Sequence, residues 1–371
     1  MYQIPSAYFE DDCADELIHD PVLTAILDKK SPASQPTLSR FFNRMDEVTL
    51  NQFYILMRRF RKIVYAIKKP PLLLLDLDSP LLDTYGHQEG EGFNFHYQSH
   101  RYHPLVCYAG MTSDLLKIEL RNDTDYSSTG VVEFLQPLLD EFLTDYPELP
   151  LFLRGDSGFT KPQLYEQCET NGVSYAIRLK ENSTLLALAS EIEEHLTDAT
   201  RHDILCCVLW RIPLSGRNME VARRVVCKVE KPTDQLIHRY TFIVTNMDSA
   251  PEELVRFYCK RGNMEIFIKE SKNSFAFTAV SSSSKIVNAN RLQIHALAYN
   301  IFNWLKRLVL PAKMRRQQID TIRMKLPKIA AKSVHSARYI TFKPCSSCPY
   351  KDEFHETLEN IRGGRLQPQL E

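Results

Sequence analysis

The sequence has no net charge: 46 Lys and Arg stand against 46 Asp and Glu. That argues against a simple basic coat for DNA. It has no long hydrophobic run. The longest pure leucine stretch is Leu72–Leu75, far short of the roughly 20 apolar residues that cross a bilayer. The opening MYQIPSAYFEDDCADEL is acidic and lacks an apolar centre, so no secretory signal is expected. Nine cysteines show no disulfide-like spacing, and a reduced cytoplasmic compartment is expected. Cys345 and Cys348 form a lone CxxC; His335 and His355 lie nearby in no standard zinc spacing, so ordinary thiols are expected. Internal repeats are absent as well.

What is present is a strong internal asymmetry. Between Arg256 and Lys343, 18 Lys and Arg face three acids (Glu265, Glu270, Asp320), an excess of +15, so the remainder carries −15. An excess of this size over one segment points to a bound polyanion rather than a solvated face. With 371 residues the chain has room for two or three domains and a sizeable core.

Residues 1–70 read as a helical region and a candidate DNA contact. A short helix is expected over 15–27, a helix start near Thr37 or Ser39, and a longer helix over 49–68. The last carries Arg58, Arg59, Arg61, Lys62 and Lys68, which fit either a solvated face or a DNA-contacting module. Pro70 and Pro71 then punctuate the chain.

LLLLDLDS follows as a buried strand that ends in acids. Asp76 and Asp78 are two apart and share one side of it. Carboxylates there are costly unless hydrogen-bonded, metal-bound or at a strand end that reaches water. Short strands over 93–97, 104–109 and 115–120 read as a meander, and 131–143 as a helix despite Pro137. PLFLRGDSGF reads as a strand over 151–154 running into Asp156, with a helix over 161–170 and a strand over 173–180. Residues 71–182 thus form the first part of an α/β domain, with Asp156 at the carboxyl end of a strand, the edge where open sheets bind ligands.

A helix over 184–196 and three β-rich runs, 202–212, 220–230 and 239–244, make 183–247 a β-rich insertion. Residues 248–343 complete the α/β domain, with an apolar-sided helix over 291–309 and a basic segment beyond it. A tail of little organisation is expected over 344–371. Read as one helix, residues 257–273 gather Tyr258, Arg261, Glu265 and Lys272 into a stripe about 60° wide at 100° per residue. Arg261 and Glu265 could equally form a commonplace i, i+4 pair.

Asp78, Asp156 and Glu265 stand on two strand ends and a helix. Converging on one sheet edge, they would make an oxygen-lined site for Mg²⁺ or Mn²⁺. Two such ions about 3.5–4 Å apart serve phosphodiester chemistry. Arg261 and Lys272 would hold adjoining phosphates, and Tyr258 would orient a phosphate oxygen.

The spacing Tyr258-x2-Arg261-x3-Glu265-x6-Lys272 resembles the Y-R-E-K motif of bacterial insertion-sequence DDE transposases, in the insertion-sequence-four-like superfamily. LDLDSPLLDTYGHQEG, FNFHYQSHRYHPL, LRGDSGF, FIVTN and FYCKRGNMEIFIKESKN are similar to its insertion-sequence-thirteen-eighty branch. The resemblance spans residues 12–345. It implies an α/β fold: an RNase H-like mixed sheet with flanking helices, interrupted by an all-β insertion subdomain.

It also implies Asp78, Asp156 and Glu265 as catalytic and metal-holding residues, with Asp76 left open as an alternative to Asp78. The cofactor implied is Mg²⁺ or Mn²⁺, as two ions. Tyr258, Arg261 and Lys272 would bind DNA. Trp210, the only Trp of the insertion, would either stack on an unstacked base or fill the insertion's own core.

The activity implied is cleavage of transposon-end DNA and strand transfer into target DNA. The partners implied are double-stranded DNA, as terminal inverted repeats and target, and a second copy of the chain; no membrane is involved. The expected location is the bacterial cytoplasm, on the nucleoid when DNA-bound. Relatives carry a longer N-terminal region, so a shortened N-terminus is expected. The alternatives are a DNA-binding remnant that does not transpose and an RNase H-like metal nuclease.

Overall fold

A computed structural model describes residues 3–94, 98–122, 125–193, 205–212, 222–230, 238–336 and 339–363. The chain opens with helices α1 (Cys13–Glu16), α2 (Pro21–Leu27), α3 (Gln35–Phe42) and α4 (Glu47–Ile67). The single helix expected over 15–27 is split. Pro21 starts a new helix there, and the Asp20 side chain accepts the N–H groups of Val22 and Leu23. A capping box between Asp46 and Thr49 starts α4.

Next come β1 (Leu73–Asp78), β2 (Leu82–Asp83), β3 (Gly92–Asn94), β4 (Ser99–Tyr102), β5 (Leu105–Ala109) and β6 (Leu115–Glu119). They are followed by α5 (Val131–Asp145), β7 (Leu151–Gly155), α6 (Pro162–Thr170), β8 (Ser174–Leu179) and α7 (Ser183–Glu193). Strands β1, β5, β6, β7 and β8 form the order β6-β5-β1-β7-β8. β1 runs antiparallel to β5 and parallel to β7, and β7 runs parallel to β8. This is the RNase H-like order. β2, β4 and β3 form a separate small sheet, so the expected meander is shared between two sheets.

Strands β9 (Leu205–Ile212), β10 (Arg223–Glu230) and β11 (Arg239–Thr245) fall in the segment expected as an all-β insertion subdomain. They extend the main sheet to eight strands, because β11 pairs antiparallel with β8. The insertion therefore continues the sheet's surface. The chain then passes through α8 (Pro251–Cys259), α9 (Asn263–Phe275), α10 (Lys285–Leu308), α11 (Ile319–Lys325), β12 (Ala331–Ser336), β13 (Tyr339–Pro344) and α12 (Lys351–Arg362). The tail expected to be unorganised thus holds a twelve-residue helix. Among the described residues, no helix is long and apolar enough to cross a membrane.

Each face of the sheet has its own core. Leu73, Leu75 and Leu77 of β1 bury among Val131, Phe134, Leu135 and Phe142 of α5. On the other face Val106 and Tyr108 of β5 join Met264 and Phe275 of α9 and Leu292 and Tyr299 of α10. Burying each leucine contributes about 1.5–3 kcal/mol. Their alternation with Asp76 and Asp78 holds the register, since a one-residue slip would drive both carboxylates into the α5 core.

Helix α4 is docked on α5 by charge as well as by apolar contact. Arg61 forms two hydrogen bonds of 2.8 Å to Glu141, and Arg58 and Lys62 both reach Asp145. Three of the five cations that suggested a DNA-contacting helix are thus neutralised within the protein. Helix α10 starts six residues before the expected Arg291 and buries polar side chains as well as apolar ones. Asn300 accepts the Leu115 N–H and donates to the Leu115 carbonyl, both at 2.8 Å. Gln293 donates to the Ile118 carbonyl. These amides satisfy the open edge of β6 in place of a further strand.

Candidate active site at the carboxyl ends of two parallel strands

Because β1 and β7 run parallel, their carboxyl ends lie at the same sheet edge. Asp78 is the last residue of β1, and Asp156 follows β7 directly. The register places Asp76 opposite Arg154. Arg154 grips Asp76 with Nε to Oδ1 at 2.6 Å and Nη2 to Oδ2 at 2.7 Å. Both side chains are buried. Gly110 makes room for this pair, since a Cβ there would stand 2.5 Å from Asp76 Oδ2. Both oxygens of Asp76 are therefore engaged inside the protein, whereas Asp78 stays partly open to solvent.

Asp78 accepts the Ser79 N–H at 2.7 Å, and Arg261 Nη2 reaches its Oδ2 at 3.1 Å and the Leu77 carbonyl at 2.7 Å. Burial pushes the Asp78 carboxyl above the usual carboxylate range; Arg261 pulls it back and the charge of Asp156 pushes it further up. Asp156 accepts the Gly158 N–H at 2.9 Å. Gly158 has to be glycine at this close approach, because a Cβ would lie 2.8 Å from Ser127 Cβ.

Since Asp78 is raised above its unfolded value, its contribution to stability is greatest at low pH and is lost as pH rises through its unfolded value towards the folded one. Asp78→Asn is accordingly expected to raise Tm by a few degrees at neutral pH. A fall in Tm on calorimetry would contradict this.

The helix expected over 257–273 is interrupted. Lys260–Gly262 tighten into a 3-10 turn between α8 and α9. Each residue of such a turn rotates the chain about 20° beyond an α-helical one, so Glu265 and Lys272 swing together by roughly 60° relative to Tyr258. Arg261 remains against Asp78. Lys272 Nζ donates to the Leu81 carbonyl at 2.5 Å, and burial lowers its pKa.

Tyr258 is half-buried. Burial raises its phenol pKa, Arg261 and Arg178 oppose this, and Asp156 adds to it. Glu265, in the first turn of α9, is exposed. Among the described residues, no three Asp, Glu, His or Cys side chains stand close enough to hold a metal. The structure thus brings Asp78, Asp156, Tyr258 and Arg261 together, sets Lys272 beside the loop after β1, and leaves Glu265 outside. The backbone of Trp210 lies in β9; its side chain is outside the described residues.

Among the described residues, Arg261 Nε is buried without a partner. A buried guanidinium donor left unpaired is costly, and an anion brought against it would relieve that cost.

The residues that support this edge carry no motif. Buried Arg121 donates through Nη2 to Ser79 Oγ at 2.7 Å, through Nη1 to the Ser127 and Thr129 carbonyls, and through Nε to the His103 carbonyl. His103 in turn spans the carbonyls of Ser79 and Asp125 at 2.7 and 3.0 Å. Arg121 therefore ties the turn after Asp78 to the loop that touches Gly158 beside Asp156.

Its only sequence signal is a charge at the end of an apolar run, as with Arg154. Arg121→Met is expected to lower catalysis about 100-fold through misplacement of the carboxylates, with DNA affinity unchanged. Equal loss of both would mean a general folding role.

A family model described as "Transposase DDE domain group 1" matches residues 1–366. No curated protein matches the chain. Among solved structures it is similar to a piggyBac transposase synaptic complex with hairpin DNA, at 12% identity and TM-score 0.39, over 70% of this chain and 54% of that one. It is also similar to a Mos1 transposase paired-end complex with the left transposon end, at 14% identity and TM-score 0.22, over 51% of this chain and 65% of that one. A third is the catalytic domain of Mos1 mariner transposase, at 8% identity and TM-score 0.23, over 70% and 96%. The chain spans about half the length of the piggyBac protein it matches.

Proposed function

The chain belongs to the DDE transposase family, and from that premise we propose that it cleaves transposon-end DNA and transfers the freed strand to target DNA. The observation that carries this reading is the pair Asp78 and Asp156 at the ends of adjacent parallel strands, with the unpaired Nε of Arg261 beside them. The charge of Asp156 raises the proton affinity of Asp78, and a divalent cation, Mg²⁺ or Mn²⁺, would relieve that repulsion. Asp78 and Asp156 would hold it. Glu265 joins them in this proposal through a rotation of α9 about the 3-10 turn at Lys260–Gly262. When bound, such ions activate the attacking hydroxyl and stabilise the leaving oxygen.

The chain's own residues hold the DNA. Arg261 and Lys272 grip neighbouring phosphates and Tyr258 orients one of them. Hydrolysis at the transposon end leaves a 3′-hydroxyl, which attacks a target phosphodiester and displaces the target strand's own 3′-oxygen, one P–O bond formed for one broken. Two copies of the chain would each hold one end, and Trp210 would stack on a base unstacked near it. The test is incubation of the protein with its element's terminal repeats and Mg²⁺ or Mn²⁺, read as strand cleavage on a sequencing gel. Binding without cleavage would instead identify a DNA-binding remnant, and cleavage without regard to the repeats a metal nuclease.

A further inference from the structure

Strands β12 and β13 pair with each other and stand outside the main sheet. A two-stranded ribbon is at best marginally stable alone in water. This one is open to solvent: all six residues of β13 are exposed, and Tyr339 keeps 76% of its surface. The register sets Lys332 directly opposite Lys343, Val334 opposite Thr341 and Ser336 opposite Tyr339. Alternation places these six on one face. That face holds two ammonium groups, two aliphatic hydroxyls and a phenol. Like charges directly opposite each other destabilise a strand pair. Among the described residues no carboxylate pairs with either lysine, and no Asp or Glu occurs between Asp320 and Asp352.

Such a face is unfavourable by itself and favourable against a polyanion. Its form narrows the partner further, since a two-stranded antiparallel ribbon fits the major groove of a duplex about 12 Å wide. Lysines and hydroxyls then meet the phosphates that flank the groove. We propose that the β12–β13 hairpin is a second DNA-binding arm, apart from the carboxylate edge, which docks in the major groove with Lys332 and Lys343 on phosphates and Tyr339 against the groove wall. The proposal rests on the reading that the protein works on DNA.

The test uses the full chain and a fluorescent 30-base-pair duplex, with affinity measured across a salt titration. Lys332→Ala/Lys343→Ala is expected to bind more weakly and to lower the slope of log K against log salt by about 1.8, the share of two phosphates. Tyr339→Ala is expected to weaken binding without changing the slope. All these side chains are exposed, so an unchanged circular dichroism spectrum and Tm are expected for both variants.

A slope and affinity equal to wild type would overturn the assignment of the hairpin while leaving the proposed function standing. Loss of self-association in sedimentation velocity, with DNA affinity intact, would also overturn it and make the hairpin a contact between copies. A wild-type chain that binds no duplex would overturn the DNA reading itself.

Discussion

Asp156→Ala is expected to reduce strand cleavage at least ~10³-fold, the loss of several kcal/mol of charge stabilisation, while duplex affinity stays within about twofold. Asp156 sits one residue past β7, and its carboxylate accepts the Gly158 N–H at 2.9 Å. Alanine at 156 removes that bond and leaves the sheet untouched. What it takes away is one of two mutually repelling carboxylates, and with it the charge that makes a divalent cation favourable beside Asp78.

Affinity should survive, because the groups proposed to hold phosphates are Arg261, Lys272 and the exposed lysines of the hairpin. The measurement is a gel assay of cleavage beside an anisotropy titration of the same preparation. Cleavage at the wild-type rate would sink the assignment of Asp156, and joint loss of binding would mean that the site had collapsed.

The second expected result concerns stability. Arg154→Met should lower the unfolding free energy by about 3–5 kcal/mol and Tm by roughly 5 °C, because it strands the buried Asp76 carboxylate. Both oxygens of Asp76 are held by Arg154, and its side chain has no water-exposed side. Arg154 also donates to the Phe257 carbonyl at 2.6 Å, and its guanidinium lies over the Phe257 ring at 5.2 Å. It therefore ties α8 to the sheet, and cleavage should fall with stability.

The double variant Asp76→Leu/Arg154→Met should recover most of the loss, since an apolar pair of similar shape replaces an ion pair that is costly to desolvate. The same series decides between the two aspartates of β1. If Asp76 were the first metal ligand, Asp76→Asn would abolish cleavage with little change in Tm. The expectation is the reverse: a clear fall in Tm for Asp76→Asn and a rise for Asp78→Asn.

Much of the site was legible in residue order. LLLLDLD reads as a buried strand that ends in acids, and PLFLRGD repeats the device. Period two then puts Asp76 and Asp78 on one side. The Tyr258 to Lys272 spacing and the +15 segment are equally local readings. Each depends on a few consecutive residues and on backbone geometry that every chain shares.

Partners are another matter. Arg154 and Asp76 are 78 residues apart, and nothing in the alternation of β1 says which of its two aspartates meets a guanidinium. Arg61 and Glu141 are 80 apart, so a stripe that reads as open to DNA is docked on α5.

The 3-10 turn between α8 and α9 was illegible for a related reason. Lys260, Arg261 and Gly262 tolerate either turn geometry. Contacts with distant residues fix the local path, through the pull of Arg261 on Leu77 and Asp78 and the bond of 2.7 Å between Ser271 and Tyr108. The insertion strands likewise could form a sheet of their own or join an existing one; the open edge of β8 decided it, since unpaired backbone groups there are costly. By itself, then, the sequence determined the elements, the strand-end carboxylates and the segregation of charge, because these follow from local periodicity. Only the tertiary structure decided which carboxylate is locked away, which cations are neutralised and where Glu265 faces, because those depend on groups that meet only when the chain has folded.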